Sequence, residues 1–142
     1  MFAPSPAGLG PRARHAGRAY LQVGVETGIH AATPHQLVQM LFDGLLESLA
    51  QANGAIACGD IAARSRAIGR AIAIVDEGLR GSLDLSNGGE LARNLMDLYT
   101  YVVTRLTRAN AKADSAIVDE CQRLIAPVRD AWIAIKPQRM AA

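Results

Sequence analysis

Three histidines, two cysteines and thirteen carboxylates are the groups this chain could turn to chemistry. A metalloenzyme would need them at repeating helical spacing, such as His-Glu-x-x-His or Glu-x-x-His, because one helix face must present two ligands to one ion. Neither pattern occurs. His15 falls in a Pro/Gly/Arg-rich stretch, while His30 and His35 flank a helix start, where His35 reads as a solvated first-turn residue. Cys58 and Cys121 make no Cys-x-x-Cys and no zinc spacing. They read as small buried hydrophobes, with little to support a disulfide. Ser48 and Ser65 have no neighbouring base, and Asp43, Asp76, Glu77, Asp97 and Asp130 are scattered over four predicted helices. Asn87-Gly88-Gly89 precedes no lysine and reads as a turn, not a phosphate loop. The expectation is a protein without catalytic machinery, cofactor or metal.

What, then, do the elements around these residues build? Half of the 142 residues are hydrophobic but only 4% are aromatic, and alanine and leucine dominate, which favours helix over strand. A chain of this length forms one domain with a real core. The formal charge is +2, and Arg12, Arg14 and Arg18 supply three positives near the N-terminus, leaving about −1 for the rest. A nucleic-acid binder should carry a basic face on its folded part, so that class is disfavoured. The N-terminus lacks the apolar core of a secretory signal, and no window reaches the roughly 20 apolar residues of a membrane span, so a cytoplasmic protein with no stable membrane insertion is expected.

Pro4, Pro6, Gly8, Gly10 and Pro11 make residues 1–18 a disordered tail, and "AYLQVGVETG" is read as a short arm or helical turn. Thr33 opens the first helix, with Pro34 at its first position and Gln36 completing a capping box. Leu37, Met40, Leu41, Leu45, Leu49, Ala52 and Ile56 keep helical spacing up to a stop at Gly59. Asp60 caps a second helix with Ile61, Ile68, Ile72, Val75 and Leu79 inward, weakened slightly by Gly69 and Gly78 and fading near Gly81. Asn87 is read as the cap of a third helix carrying Leu91, Leu95, Leu98, Val102, Leu106 and Ala109. After a turn at 110–114, a fourth carries Ile117 or Val118, Cys121, Leu124, Ile125, Val128, Trp132 and Ile135, with Pro127 inside it as a source of a kink. Short connections predict an all-α, antiparallel up-down-up-down four-helix bundle over residues 19–136, with a C-terminal tail at 137–142.

Two helices carry more apolar surface than one core stripe needs. The first adds Val38, Phe42 and Leu46 to its main series, and the third adds Met96, Tyr99 and Val103. A bundle helix needs a stripe somewhat over 100° wide. The surplus either fills a small core or forms a groove for another chain, and spacing alone favours the core.

The segments "AYLQVGVET" (19–27), "TPHQLVQMLFDG" (33–44), "GLRGSLDLSNGGELARNLMDLYTYVVTRLTRAN" (78–110) and "APVRDAW" (126–132) resemble, in order and spacing, the flagellin-export chaperones of bacteria, the FliS family. The resemblance runs from about Ala19 to Ile135. It implies a helical bundle that binds the disordered C-terminal segment of flagellin in the cytoplasm, blocks premature polymerisation and helps pass the subunit to the export gate. It also implies contact with an anti-sigma factor. The client-free protein is expected to be a monomer or a weak homodimer formed through the same groove. A helical adaptor for another client is the alternative. The matching positions that would meet a partner are Tyr20, Val25, Leu37, Leu41, Asp43, Leu91, Leu95, Leu98, Tyr99, Arg105 and Asn110, with Leu37, Leu41 and Leu95 equally suited to the core. Tyr20 and Val25 would cover the groove when it is empty. Gly44 beside Asp43 implies a close helix approach, Arg105 a pairing with Asp97 or Asp43, and Trp132 a core anchor. The chain departs from the family pattern at its start, where Phe2 precedes a longer Pro/Gly/Arg stretch.

Overall fold

A computed structural model describes residues 32–135, which form four helices joined by short links. The expectations for the N-terminal tail and arm, Tyr20 and Val25 included, and for the tail at 137–142 lie outside the described residues. Helix α1 runs over Pro34–Cys58, α2 over Ile61–Ala73, α3 over Gly89–Lys112 and α4 over Ser115–Ala134. α1 packs against α2 and α4, and α3 also packs against α2 and α4, so α1 and α3 stand diagonally across a four-helix bundle.

The first link shows how sequence chemistry turns a helix around. Thr33 and Gln36 form the reciprocal capping box at the start of α1, with the Thr33 hydroxyl accepting at 3.1 Å and Gln36 Oε1 at 2.8 Å. At its end Gly59 takes φ +69°, its N–H bonds Ile56, and the Asp60 N–H reaches Ala55 at 2.9 Å. This is the paired arrangement that satisfies the last carbonyls of a helix. Asp60 then accepts from the Ala63 N–H at 3.0 Å and starts α2.

The α3–α4 link repeats the design without the glycine. Ala113 sits at φ +51°, Asp114 bonds back to Ala109 at 3.0 Å, and the Asp114 side chain caps α4 at 3.0 Å through the Ala116 N–H. Ala113 is the one non-glycine at positive φ among the described residues. Its Cβ crowds the backbone there, a cost of roughly 1–2 kcal/mol, partly offset by the greater unfolded-state freedom of glycine. Ala113→Gly should therefore stabilise the protein by about 0.5–1 kcal/mol, read as a higher urea midpoint at unchanged slope. A lower midpoint would contradict the strain.

The second helix runs out near Gly81 as expected, after Ile74–Leu79 winds at the wider π pitch and Arg80–Ser82 tightens into a 3₁₀ turn. Ile74, Val75, Gly78 and Leu79 of this stretch are buried. Gly78 is also more than a weak spot in the helix. A Cβ there would lie 2.9 Å from Leu41 Cδ2, so a side chain at this position would have to displace the Leu41 side chain of α1. Contrary to expectation, Asn87 does not cap α3. The Asp84 carboxylate gathers the Ser86 and Asn87 N–H groups at 3.1 Å each, and its second oxygen takes the Asn87 amide at 3.2 Å. The charged acceptor wins over the helix start, and α3 begins after Gly88 with no side-chain cap.

The core holds Leu41, Phe42, Leu45 and Leu49 of α1, Ile68 and Val75, Tyr99, Val102 and Leu106 of α3, and Ile117, Val118, Cys121 and Ile125 of α4. Phe42 is buried, with Val38 and Leu46 packed beside it, so the second stripe of α1 belongs to the core. Ser48 is fully buried and donates to the Gly44 carbonyl at 2.8 Å, which satisfies its hydroxyl. Both cysteines are free, Cys121 buried as expected and Cys58 exposed, contrary to expectation, at the end of α1 where the chain turns. Ile61, expected inward, is exposed just beyond the same turn, at the start of α2.

Candidate functional site

Several apolar side chains on α3 and α4 are left exposed or half-buried by this packing. Glu120 of α4 fixes their relative height: its two oxygens accept from Tyr101 Oη at 2.6 Å and Arg105 Nε at 2.8 Å. Counted along antiparallel helices from that level, Leu98 stands opposite Leu124, Leu95 opposite Val128, and Leu91 opposite the turn of Trp132. On the far side of Glu120, Leu106, Ala109, Ile117 and Val118 are all buried. On the near side burial decays. Leu95, Leu98, Leu124 and Val128 are half-buried, and at the end Leu91 is 67% and Ile135 52% exposed. These side chains form a partly covered aliphatic strip, the α3–α4 trough, most exposed toward the start of α3 and the end of α4. Tyr101, 44% exposed, stands at its other end.

The exposed end is bordered by a contact between α1 and α4. The rings of His35 and Trp132 stack with centroids 4.8 Å apart and planes 12° apart. The His35 Nε2–H donates to the Trp132 carbonyl at 2.8 Å, and the Trp132 indole N–H donates to the His35 carbonyl at 3.0 Å. A carbonyl only accepts, so Nε2 carries the proton. His35 is therefore half-buried in a clasp and is not the solvated residue its first-turn position suggested.

The remaining sequence-predicted positions divide by depth. Leu41 and Tyr99 are buried in the core, and Tyr99's phenol is pushed up to about 12 by burial. Leu37 is half-buried on α1. Asp43 pairs with Arg129 of α4 at 2.6 Å, and Asn110 accepts from Arg64 Nε at 3.2 Å, so each ties neighbouring helices together. Gly44 is buried beside Asp43. Arg105 pairs with Glu120, not with Asp97 or Asp43. The bundle explains the correction: Asp43 is on the diagonal helix, and Asp97 lies two turns away on the solvent face of α3. Leu91, Leu95 and Leu98 are the predicted positions that come together in the trough. Sequence reasoning missed its α4 wall and the clasp, since residues 97 apart in sequence carry no local signal of contact. Among the described residues, no three His, Cys, Asp or Glu side chains gather to hold a metal, and no helix is long and apolar enough to cross a membrane.

Electrostatics at the surface give one testable consequence. Hydrogen bonds from Ser86 and Asn87 hold the Asp84 carboxyl below its ordinary 3.8, and those from Tyr101 and Arg105 hold Glu120 below 4.5. A lowered folded-state value means full stabilisation above the ordinary value and loss as pH falls through the folded one. The urea midpoint should thus be level near neutrality and drop once pH passes below about 4.5. Asp84→Asn should flatten part of that drop, and an unaltered acid limb would show that the turn contributes nothing.

Comparison with known proteins settles the lineage. The family model described as Flagellar protein FliS matches residues 16–139. The chain belongs to the FliS family. It is 41% identical over 121 residues to the "Flagellar secretion chaperone FliS" of Salmonella typhimurium, covering 85% of this chain and 90% of that protein. It is 43% identical over 118 residues to the "Flagellar secretion chaperone FliSB" of Pseudomonas aeruginosa, covering 83% and 93%. The more distant Bacillus subtilis FliS is 29% identical over 107 residues, covering 75% and 78%. The FliS match spans all four helices and both walls of the trough.

Proposed function

We propose that this FliS-family chain is a flagellar secretion chaperone whose client is the C-terminal segment of flagellin, bound as an amphipathic helix in the α3–α4 trough. The observation that carries the reading is a partly exposed aliphatic strip on α3 and α4 in a chain 41% identical over most of its length to a flagellar secretion chaperone. An apolar helix-in-groove site suits a segment that is disordered alone and helical when packed. Such a client loses ordering entropy on binding, which keeps net affinity moderate and allows release to the export gate. In this reading the protein works by covering surface, without catalysis, in the cytoplasm. The folded unit spans residues 19–136, further partners are the export gate and an anti-sigma factor, and the client-free form is a monomer or weak homodimer.

The test is a calorimetric and circular-dichroism titration with the last roughly 40 residues of the host's flagellin, enough for several helical turns. Saturable one-to-one binding is expected, with a negative heat-capacity change and gained helicity. Failure of both this peptide and full-length flagellin to bind would leave a bundle with another client.

A further inference from the structure

Resting on the reading of the trough as the client site, we propose that the basic half of α3 receives the client's C-terminal end. Arg105 and Arg108 hold its α-carboxylate, and the bound helix runs parallel to α3.

α3 changes character along one edge. Leu91, Leu95 and Leu98 supply the aliphatic strip. Tyr101, Arg105, Arg108 and Lys112 follow at i, i+4, i+7 and i+11, a spacing that keeps them on one face. Tyr101 and Arg105 both bond Glu120, so this face borders α4 and continues the strip. Tyr101, Arg108 and Lys112 are exposed. On α4, Arg123 is exposed one turn from Glu120 and close enough to favour its charge. Cations therefore outnumber the one carboxylate, Glu120, along this edge. Asp114 and Asp119 are engaged elsewhere, Asp114 on the N-terminus of α4 and Asp119 on Asn53 of α1. At the Leu91 end the balance reverses, where the exposed charges of α3 are Glu90, Arg93 and Asp97.

A surplus of positive charge at one end of an apolar strip suits an anionic end of the client. A bound C-terminal helix supplies its α-carboxylate together with the negative end of its dipole. Arg105 is placed to take the carboxylate. Among the described residues only its Nε is engaged, on Glu120 at 2.8 Å, and the side chain is 30% exposed, which leaves the Nη edge for a second acceptor. The Glu120 bond also holds the guanidinium in position beforehand, so little side-chain freedom is lost on binding. A helix laid the other way would set its positive end against Arg105 and its carboxylate against Glu90.

Two forms of the flagellin C-terminal peptide, one ending in the free acid and one in the amide, separate this contact from apolar burial. The full-length chain should bind the acid about three- to tenfold tighter, between the effect of an exposed ion pair and that of a charged hydrogen bond. Amidation removes a charge opposed to the peptide's own helix dipole, so without the contact it would tighten binding. The acid-to-amide ratio should fall toward one in Arg105→Gln, fall in part in Arg108→Gln, and shrink with added salt. A purely structural role for Arg105 weakens acid and amide alike and leaves their ratio at the wild-type value. Direction has its own readout. A nitroxide on the peptide's last residue should broaden the backbone amide signal of Arg105, and one about 14 residues earlier, roughly 21 Å along a helix, that of Leu91. Equal affinity for acid and amide, a ratio that survives Arg105→Gln, or the reversed broadening pattern overturns the inference and leaves the client assignment standing. Binding of neither peptide form nor full-length flagellin removes the client and this contact together.

Discussion

Leu91→Glu is expected to weaken binding of the flagellin C-terminal peptide by about 10- to 100-fold while leaving the bundle as stable as before. Leu91 is 67% exposed, so the folded chain makes few contacts with it. Surface substitutions of that kind usually change stability by less than about 0.5 kcal/mol. Position 91 is also in the first turn of α3, where an added carboxylate faces the positive end of the helix dipole. The cost falls on the complex instead. A leucine buried by a partner contributes about 1.5–3 kcal/mol, and a glutamate in its place must be desolvated or excluded. Isothermal titration beside urea unfolding separates the two effects. Leu91→Ala should give a smaller loss of affinity in the same direction. Unchanged affinity in Leu91→Glu would remove the exposed end of the trough from the client surface.

Phe42→Ala is expected to cost about 3–5 kcal/mol of stability, a large part of the roughly 5–15 kcal/mol available to a domain of this kind. Phe42 is 1% exposed and lies in the core cluster with Leu45 and Leu49. It is one of two phenylalanines in the chain, and the other, Phe2, falls outside the described residues, so α1 has no second ring to fill the hole. Chemical unfolding should show a much lower midpoint with an unchanged slope if the native bundle survives. A loss below about 1 kcal/mol would mean that α1's second stripe is a surface feature after all.

Leu91 and Phe42 exchange the parts that helical spacing suggests for them. Phe42 belongs to a surplus stripe, and surplus stripes invite a partner. Leu91 begins the regular inward series of α3. The periodicity is the same for both, because a helical wheel records direction around one axis and not the distance to the next helix. α1 has neighbours on two sides, α2 and α4, and both of its stripes find cover. Leu91, in the first turn of α3, is directed like Leu95 and Leu98 but meets solvent, while those two pack against the core.

Local chemistry alone determined a good deal about this protein. The capping box at Thr33, the Gly59-Asp60 reversal, the Asp114 cap and the four apolar series are set within a few residues each, and they specify helix limits and a four-helix bundle. The FliS motifs were legible in the same way. Asn87 shows the limit even of local reading, since Asp84, three residues away, competed for it with a full charge. What only the tertiary structure decided depends on register and on contacts distant in sequence. Arg105 found Glu120 because α3 and α4 are adjacent, and Asp43 found Arg129 because α1 and α4 are. Gly78 became a contact point because Leu41 faces it. His35 met Trp132 across 97 positions because the first and last helices share a corner of the bundle. Each pairing follows from which helices are neighbours and at what height, and hydrophobic burial settles that for the whole chain at once.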